Sequence, residues 1–189
     1  LKKLYAANLY MALMHYPVVN RNGDIITSAV TNLDIHDMSR AAKTYGVKAF
    51  YIVTPLMDQQ QLVKKITLHW TEGAGAEYNP SRRKALELIN IKSSLDDVLA
   101  DIQNKCKLAP KIVVTSSRNF EQKLDIDNFR TMLQGEGAYI LLFGTAWGLT
   151  EEFINNADYL LEPIKGGTDY NHLSVRSAAA IMLDRLLGS

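Results

Sequence analysis

The sequence predicts an α/β fold, a mostly parallel sheet with helices on both faces, and three observations carry that reading. Short apolar runs alternate with segments of helical periodicity along almost the whole chain. The apolar runs are continuous rather than polar at every second residue, which is how strands buried on both faces read. One run ends in a glycine-bearing junction, Gly144-Thr145-Ala146-Trp147-Gly148-Leu149, placed between strand and helix, where open α/β sheets bind ligands.

Leu9 to Val18 reads as the first strand, followed by the polar turn Asn20-Arg21-Asn22-Gly23-Asp24, whose Asn-Gly step favours positive φ. Asp34 is placed to cap a helix running to Tyr45, because Ile35, Met38, Ala42 and Tyr45 recur at helical spacing and Gly46 supplies a left-handed stop. On that helix Arg40 points almost opposite the apolar stripe, which leaves its guanidinium for a partner. Lys48 to Thr54 is a β-rich run ended by Pro55, and a helix pattern follows through Met57, Leu62, Ile66 and Trp70 until Gly73 and Gly75 break it. Gly73 to Arg83 reads as loop and Ala85 to Ile91 as strand. Ser94, with Asp97 three residues on, caps a helix containing Leu95, Val98, Leu99, Ile102 and Cys106.

Lys111 to Thr115 is a short buried strand, Asp127 to Gln134 a short helix, and Ala138 to Phe143 the strand that delivers the chain into the glycine junction. A helix from Thr150 to Asn156, a strand from Tyr159 to Ile164 and a polar loop with Gly166-Gly167 come next. The last helix begins near Asn171; its Val175, Ala178, Ala179, Met182, Leu183 and Leu186 form one apolar face, suited to a core or a dimer seam. No internal repeat or linker divides the chain, so residues 1–189 are expected to form a single domain.

Composition narrows the function classes. With 47% hydrophobic and 22% charged residues over 189 positions, the chain is globular, which excludes disordered and collagenous classes. Its one cysteine excludes an intrachain disulfide, and no Cys/His cluster has zinc spacing, so no metal is expected. No run of about 18 uncharged apolar residues exists to cross a membrane. The start, Leu1 to Leu13 with Lys2 and Lys3, lacks a cleavage pattern, and a cytoplasmic protein is expected. The near-neutral total hides an asymmetry, net +5 over residues 1–95 and net −4 over 96–189. The basic half carries Lys64-Lys65 and Arg82-Arg83-Lys84, which permit phosphate contacts without demanding them.

The glycine junction is neither G-x-G-x-x-G nor a P-loop. Ser116, Ser117 and Ser174 sit in no G-x-S-x-G and read as cap or loop residues. His15, His36, His69 and His172 are scattered, and Cys106 lies on an apolar stripe as an inert thiol. Trp147 is either a base-stacking platform or a packing anchor. Asp34, Asp37 and Arg40 are either a cap with a local ion pair or part of a site.

A resemblance adds to these readings. Leu141 to Leu149, then Asp158-Tyr159-Leu160-Leu161-Glu162-Pro163-Ile164, then Tyr170 to Ile181 resemble, in order and spacing, the three ligand-loop segments of the SPOUT superfamily of S-adenosylmethionine-dependent RNA methyltransferases. With His15-Tyr16-Pro17-Val18 and Thr31 to Asp37 included, nearly the whole chain is similar to a little-characterised bacterial branch of that superfamily. The resemblance implies a deep trefoil knot with the cofactor loops within about residues 138–189, a homodimer formed through the knot region, and an RNA substrate, tRNA or rRNA. It further implies S-adenosylmethionine held by backbone groups around Gly144, Thr145, Gly148, Ile164 and Leu173. Leu142, Leu149, Pro163 and Ala178 are expected at the adenine, and Thr115 and Ser116 on the rim.

Arg40 to Val47 also resembles the first motif of the ribose 2'-O-methylating branch, in which an arginine six residues before the glycine contacts the target hydroxyl. That makes Arg40 the lead catalytic candidate, with Asp34, His36, Asp169 and Arg176 in support. The chain departs from that branch at Asp34, where the motif has Asn, and at Ser174 and Arg176, where it has Asn and Ser. Ribose oxygen and base nitrogen thus both stand as acceptors, Asp169 being the general base for the second. A SPOUT-like regulator that binds cofactor or RNA without turnover is the alternative reading.

Overall fold

The computed structural model describes residues 7–118 and 123–188; Lys2 and Lys3 lie outside the described residues. Six strands form one fully parallel sheet: β1 (Leu9–Met14), β4 (Phe50–Val53), β5 (Ile89–Lys92), β6 (Lys111–Thr115), β7 (Tyr139–Gly144) and β8 (Tyr159–Leu161), in the order β5-β4-β1-β7-β6-β8. The register pairs Met14 with both Val53 and Gly144 and brings Thr115 against Leu161, so the strand carboxyl ends lie along one edge. A short antiparallel hairpin, β2 (Val18–Val19) and β3 (Ile25–Ile26), stands beside it. The continuous apolar runs are strands buried on both faces: every residue of β1 and β4 is buried.

Alternate strand residues feed two cores. Leu9, Met11, Leu13, Phe50, Ile52, Leu141 and Phe143 pack against α1 (Asn32–Thr44), α2 (Met57–Thr71), α6 (Ile126–Met132) and α8 (Val175–Leu187). Tyr10, Ala12, Tyr51, Val53, Ile140 and Leu142 pack against α5 (Leu95–Cys106) and α7 (Glu151–Asn155). The α/β class with helices on both faces is therefore as the sequence predicts.

Several boundaries differ. The stretch expected as loop from Gly73 to Arg83 holds α3 (Ala74–Tyr78) and α4 (Pro80–Leu86). Asn79 caps α4 by accepting from the Arg82 N–H at 2.9 Å, with Pro80 at the first helical position, a start signal the two glycines masked. Ala85 and Leu86 accordingly belong to α4 rather than to the strand expected at Ala85 to Ile91. The first helix is capped by Thr31, not Asp34; Asp34 falls in its first turn with its side chain against the Thr31 hydroxyl. The expected strand end at Ile164 retreats to Leu161, and α8 starts at Val175, capped by Ser174. A strand reaching Val18 is interrupted after Met14, because Pro17 has no N–H to give a ladder.

Candidate cofactor cleft

The carboxyl ends of β6 and β7 open into a cleft of about 780 Å³, within the usual range for a small-ligand site. Three sequence-distant segments build it: residues 115–118 after β6, the junction 143–148 at the end of β7, and Ile164 with residues 171–175 before α8. The hairpin closes one side. The Val19 N–H donates to the Gly148 carbonyl at 2.9 Å and the Trp147 N–H to the Val19 carbonyl at 3.0 Å. That pairing brings Arg21 and Asn20 to the wall, a placement local sequence patterns do not reveal.

The junction needs its glycines for different reasons. A Cβ on Gly144 would sit 2.9 Å from the Leu149 nitrogen and 3.1 Å from the Gly148 carbonyl carbon, so the turn closes only without one. Gly148 has φ of +101° with open space where a side chain would stand, the conformation glycine adopts at least cost. Below the junction, the Ser28 hydroxyl bridges the Thr145 hydroxyl at 2.5 Å and His15 Nδ1 at 2.9 Å. The Thr145 hydroxyl also reaches the Met14 carbonyl at 3.0 Å. His15 is wholly buried and, among the described residues, its Nε2 has no hydrogen-bond partner; burial pushes its pKa down to about 4, so the ring is neutral at pH 7.

The chemistry of this wall fits S-adenosylmethionine. Phe143, Val175, Ala178 and Met182 supply apolar surface for an adenine. Among the described residues, no hydrogen bond uses the backbone amide or carbonyl of Ile164 or Leu173, so unspent donors and acceptors line the cleft beside that surface. Recognition through backbone also explains why no charged signature marks the site.

Of the expected cofactor residues, Thr115, Ser116, Gly144, Thr145, Gly148, Ile164, Leu173 and Ala178 line the cleft. Leu142, Leu149 and Pro163 do not. They are buried behind it, Leu142 and Leu149 in the core on the α5 and α7 face; the strand pleat turns Leu142 away. Ser28, Arg21, Arg118 and Asn171 also line it, and none of them was a site candidate from sequence.

The catalytic candidates separate. Asp34 lines the cleft, 6% exposed, and Arg176 joins it in an ion pair at 2.9 Å while its Nε faces Asp37 at 3.4 Å. Two of the three positions at which the chain departs from the ribose-methylating pattern, Asn to Asp at 34 and Ser to Arg at 176, are thus one exchange of a neutral pair for an ionic one. Arg40, His36 and Asp169 are not in the cleft of this chain. Arg40 is exposed on the far side of α1. His36 packs edge-on to Trp70, ring centroids 5.4 Å apart, its pKa lowered by burial and then by Arg82. Asp169 lies exposed in the loop before α8.

A parallel sheet with a backbone-lined cleft at its carboxyl ends defines a cofactor-binding α/β protein, and comparison with known proteins specifies which. Residues 8–188 match the model of a family described as SAM-dependent RNA methyltransferase, and the chain belongs to that family. A tRNA (guanine-N(1)-)-methyltransferase of Oleidesulfovibrio alaskensis is 42% identical over 181 residues, 96% of this chain and 42% of that protein. The chain therefore spans less than half the length of that relative. An uncharacterized protein of Aquifex aeolicus is 36% identical over 180 residues, covering 95% of this chain and 88% of its own length.

Among solved structures, the SpoU methyltransferase AviRb of Streptomyces viridochromogenes in complex with the cofactor AdoMet superposes with a TM-score of 0.56 at 16% identity, over 96% of this chain and 57% of that one. This last likeness is one of fold, and it agrees with the SPOUT resemblance drawn from the three C-terminal segments. The cofactor of the family is S-adenosylmethionine, as that resemblance implied.

Proposed function

We propose that this chain transfers a methyl group from S-adenosylmethionine to RNA, with tRNA as the first substrate class and a base nitrogen as the first acceptor. The observation that carries the reading is the cleft itself: apolar wall, unspent backbone groups at Ile164 and Leu173, and a glycine turn closed against its own backbone. The name of the Oleidesulfovibrio relative supports tRNA and a ring nitrogen as first choices.

S-Adenosylmethionine, when bound, supplies an electrophilic methyl on a sulfonium centre. The residues of this chain bind and orient it and manage one proton. Asp34 is the acidic residue on the cleft wall and replaces Asp169 as the candidate proton acceptor. Thr31 and Arg176 each engage one of its oxygens and fix its orientation, and it takes the proton that a base N–H loses on methylation. Ser28 and Thr145, tied to buried His15, hold the turn that lines the cleft and would orient the cofactor there.

The deep knot, the homodimer, the single domain and cytoplasmic residence belong to this proposal as well. Large apolar side chains at the cleft rim support a partner that covers them, Trp147 being 57% and Leu173 45% exposed.

Calorimetric titration with S-adenosylmethionine and S-adenosylhomocysteine, with ATP and NAD as controls, followed by tritium-methyl transfer to bulk tRNA and rRNA, tests the reading. Saturable binding of the first two alone, then label in tRNA base, is the expected result. Binding without transfer to either RNA favours the non-catalytic regulator, and absence of binding rejects the cofactor assignment.

A further inference from the structure

We infer that the groove between α1 and α4, apart from the cofactor cleft, is a binding site for the phosphodiester backbone of the RNA substrate; the inference rests on the RNA methyltransferase reading above. The groove encloses about 430 Å³ and its wall carries Arg40 and Lys43 from α1 and Asn79, Ser81, Arg82 and Lys84 from the second side. Four cations face one space. None of its lining residues is acidic, and among the described residues none of the four cations is in an ion pair. The neighbouring Arg83 does pair, with Glu87, so acidic partners are not absent from α4 but directed elsewhere.

The neutral groups point the same way. Asn79 spends its side-chain oxygen on the Arg82 N–H, which leaves its amide N–H donors to the groove, and the Ser81 hydroxyl has no partner within the described chain. Arg82 is set in advance: its guanidinium carbon lies 4.3 Å over the Trp70 ring, and Trp70 is itself wedged edge-on between His36 and His69. A guanidinium held on an aromatic face keeps its fork of donors oriented at reduced entropic cost. His36 beneath has its pKa lowered by burial and then by Arg82, with Asp37 opposing and Arg40 adding, and the acidic Asp37 is turned to Arg176 rather than lining the groove.

A wall of cations and donors without an acceptor suits phosphate oxygens. Lys43 and Lys84 are exposed, and a lone phosphate on so open a surface would keep most of its water. A polyanion gains affinity there by releasing counterions at several points at once. The position fits the cleft as well. Asp34 and Arg40 lie six residues apart on α1, about 9 Å along its axis, so one helix presents both the cleft and the groove. Arg40, expected from resemblance at the reacting hydroxyl, is thereby assigned to the RNA backbone.

The test measures binding of unfractionated tRNA by anisotropy across about 50 to 200 mM salt, for the wild type, Lys43→Gln/Lys84→Gln, and a control, Lys48→Gln/Lys107→Gln. All four lysines are exposed, and thermal melting confirms that each variant folds. The expected result is a log–log salt slope shallower by about 1.4 to 1.8 in the groove variant, no change in the control, and S-adenosylmethionine affinity unchanged in both. An unchanged slope with tRNA still bound overturns the groove while leaving the methyltransferase reading intact. Failure of the wild type to bind any RNA, with cofactor binding retained, rejects the RNA reading and the groove with it. Inorganic phosphate at matched ionic strength provides the last arm: saturable phosphate binding to the wild type that the groove variant loses, while the two proteins keep the same tRNA slope, makes the site one for free phosphate and overturns the RNA assignment.

Discussion

Replacing Arg176 by Ser removes the cation that faces Asp34 at 2.9 Å and Asp37 at 3.4 Å, and the two partners are left in unequal positions. The Asp34 side chain is 9% exposed and that of Arg176 32%. Among the described residues, a carboxylate that loses Arg176 keeps only the Thr31 hydroxyl as a hydrogen-bond partner, whereas a guanidinium that loses Asp34 still has Asp37 and water. Breaking a fully buried pair costs about 3 to 5 kcal/mol and an exposed one about 1 or less. The intermediate exposure places Arg176→Ser at about 2 kcal/mol and Asp34→Asn at about 1. For a chain of this length, 2 kcal/mol corresponds to a fall in Tm of about 5 °C.

The double variant installs the neutral Asn and Ser pair of the ribose-methylating pattern and strands neither charge. It is expected to be no less stable than Arg176→Ser alone, with a coupling free energy of about 1 kcal/mol in a double-mutant cycle. Urea unfolding of the four proteins measures it. Single effects below about 0.5 kcal/mol, or strict additivity within about 0.3 kcal/mol, would refute the view that Asp34 and Arg176 are one unit.

Two further outcomes are expected. Gly144→Ala forces a Cβ against the backbone of Leu149 and Gly148, so S-adenosylmethionine affinity should drop by about tenfold or more, roughly the 1.4 kcal/mol of a displaced backbone contact, while Gly166→Ala, with open space around its Cβ, leaves it unchanged. Calorimetry that finds the two variants alike would dismiss the close approach at the junction. Burial holds His15 at about 4, below its ordinary 6.5, so the unfolded chain binds a proton between those values that the folded chain does not. Stability is therefore full above pH 6.5 and declines as the pH falls toward 4, by about 3 kcal/mol from this group. Urea midpoints measured from pH 4 to 7 should lose that share of their slope in His15→Gln, and parallel curves for variant and wild type would contradict a neutral buried ring.

What the sequence by itself determined is the part that depends on local periodicity and on short motifs. The runs at Lys111 to Thr115 and Ala138 to Phe143 are strands to within a residue, because each is too short for a helix and is bounded by Pro or Gly. The Ser94 and Asp97 capping box is present as read, since a cap is chemistry within one turn. The glycine junction was legible because close backbone approach leaves glycines as a trace, whereas the segments around Ile164 and Leu173 were marked only by the family resemblance.

Local pattern was less decisive at Gly73 to Arg83, where two glycines outweighed the Asn79-Pro80 start of α4, and at Leu142, Leu149 and Pro163, whose facing depends on pleat and packing. Only the tertiary structure decided what lies across the chain. The hairpin at Val19 closes on Gly148, Ser28 reaches Thr145 over 117 residues, and Asp34 meets Arg176 over 142. Such contacts carry no sequence period, because the geometry that joins them is set by the order of strands in the sheet. For the same reason Arg40 read correctly as a cation free of its own helix, while its neighbours Arg82 and Lys84, and with them the groove, became visible only once α4 was packed against α1.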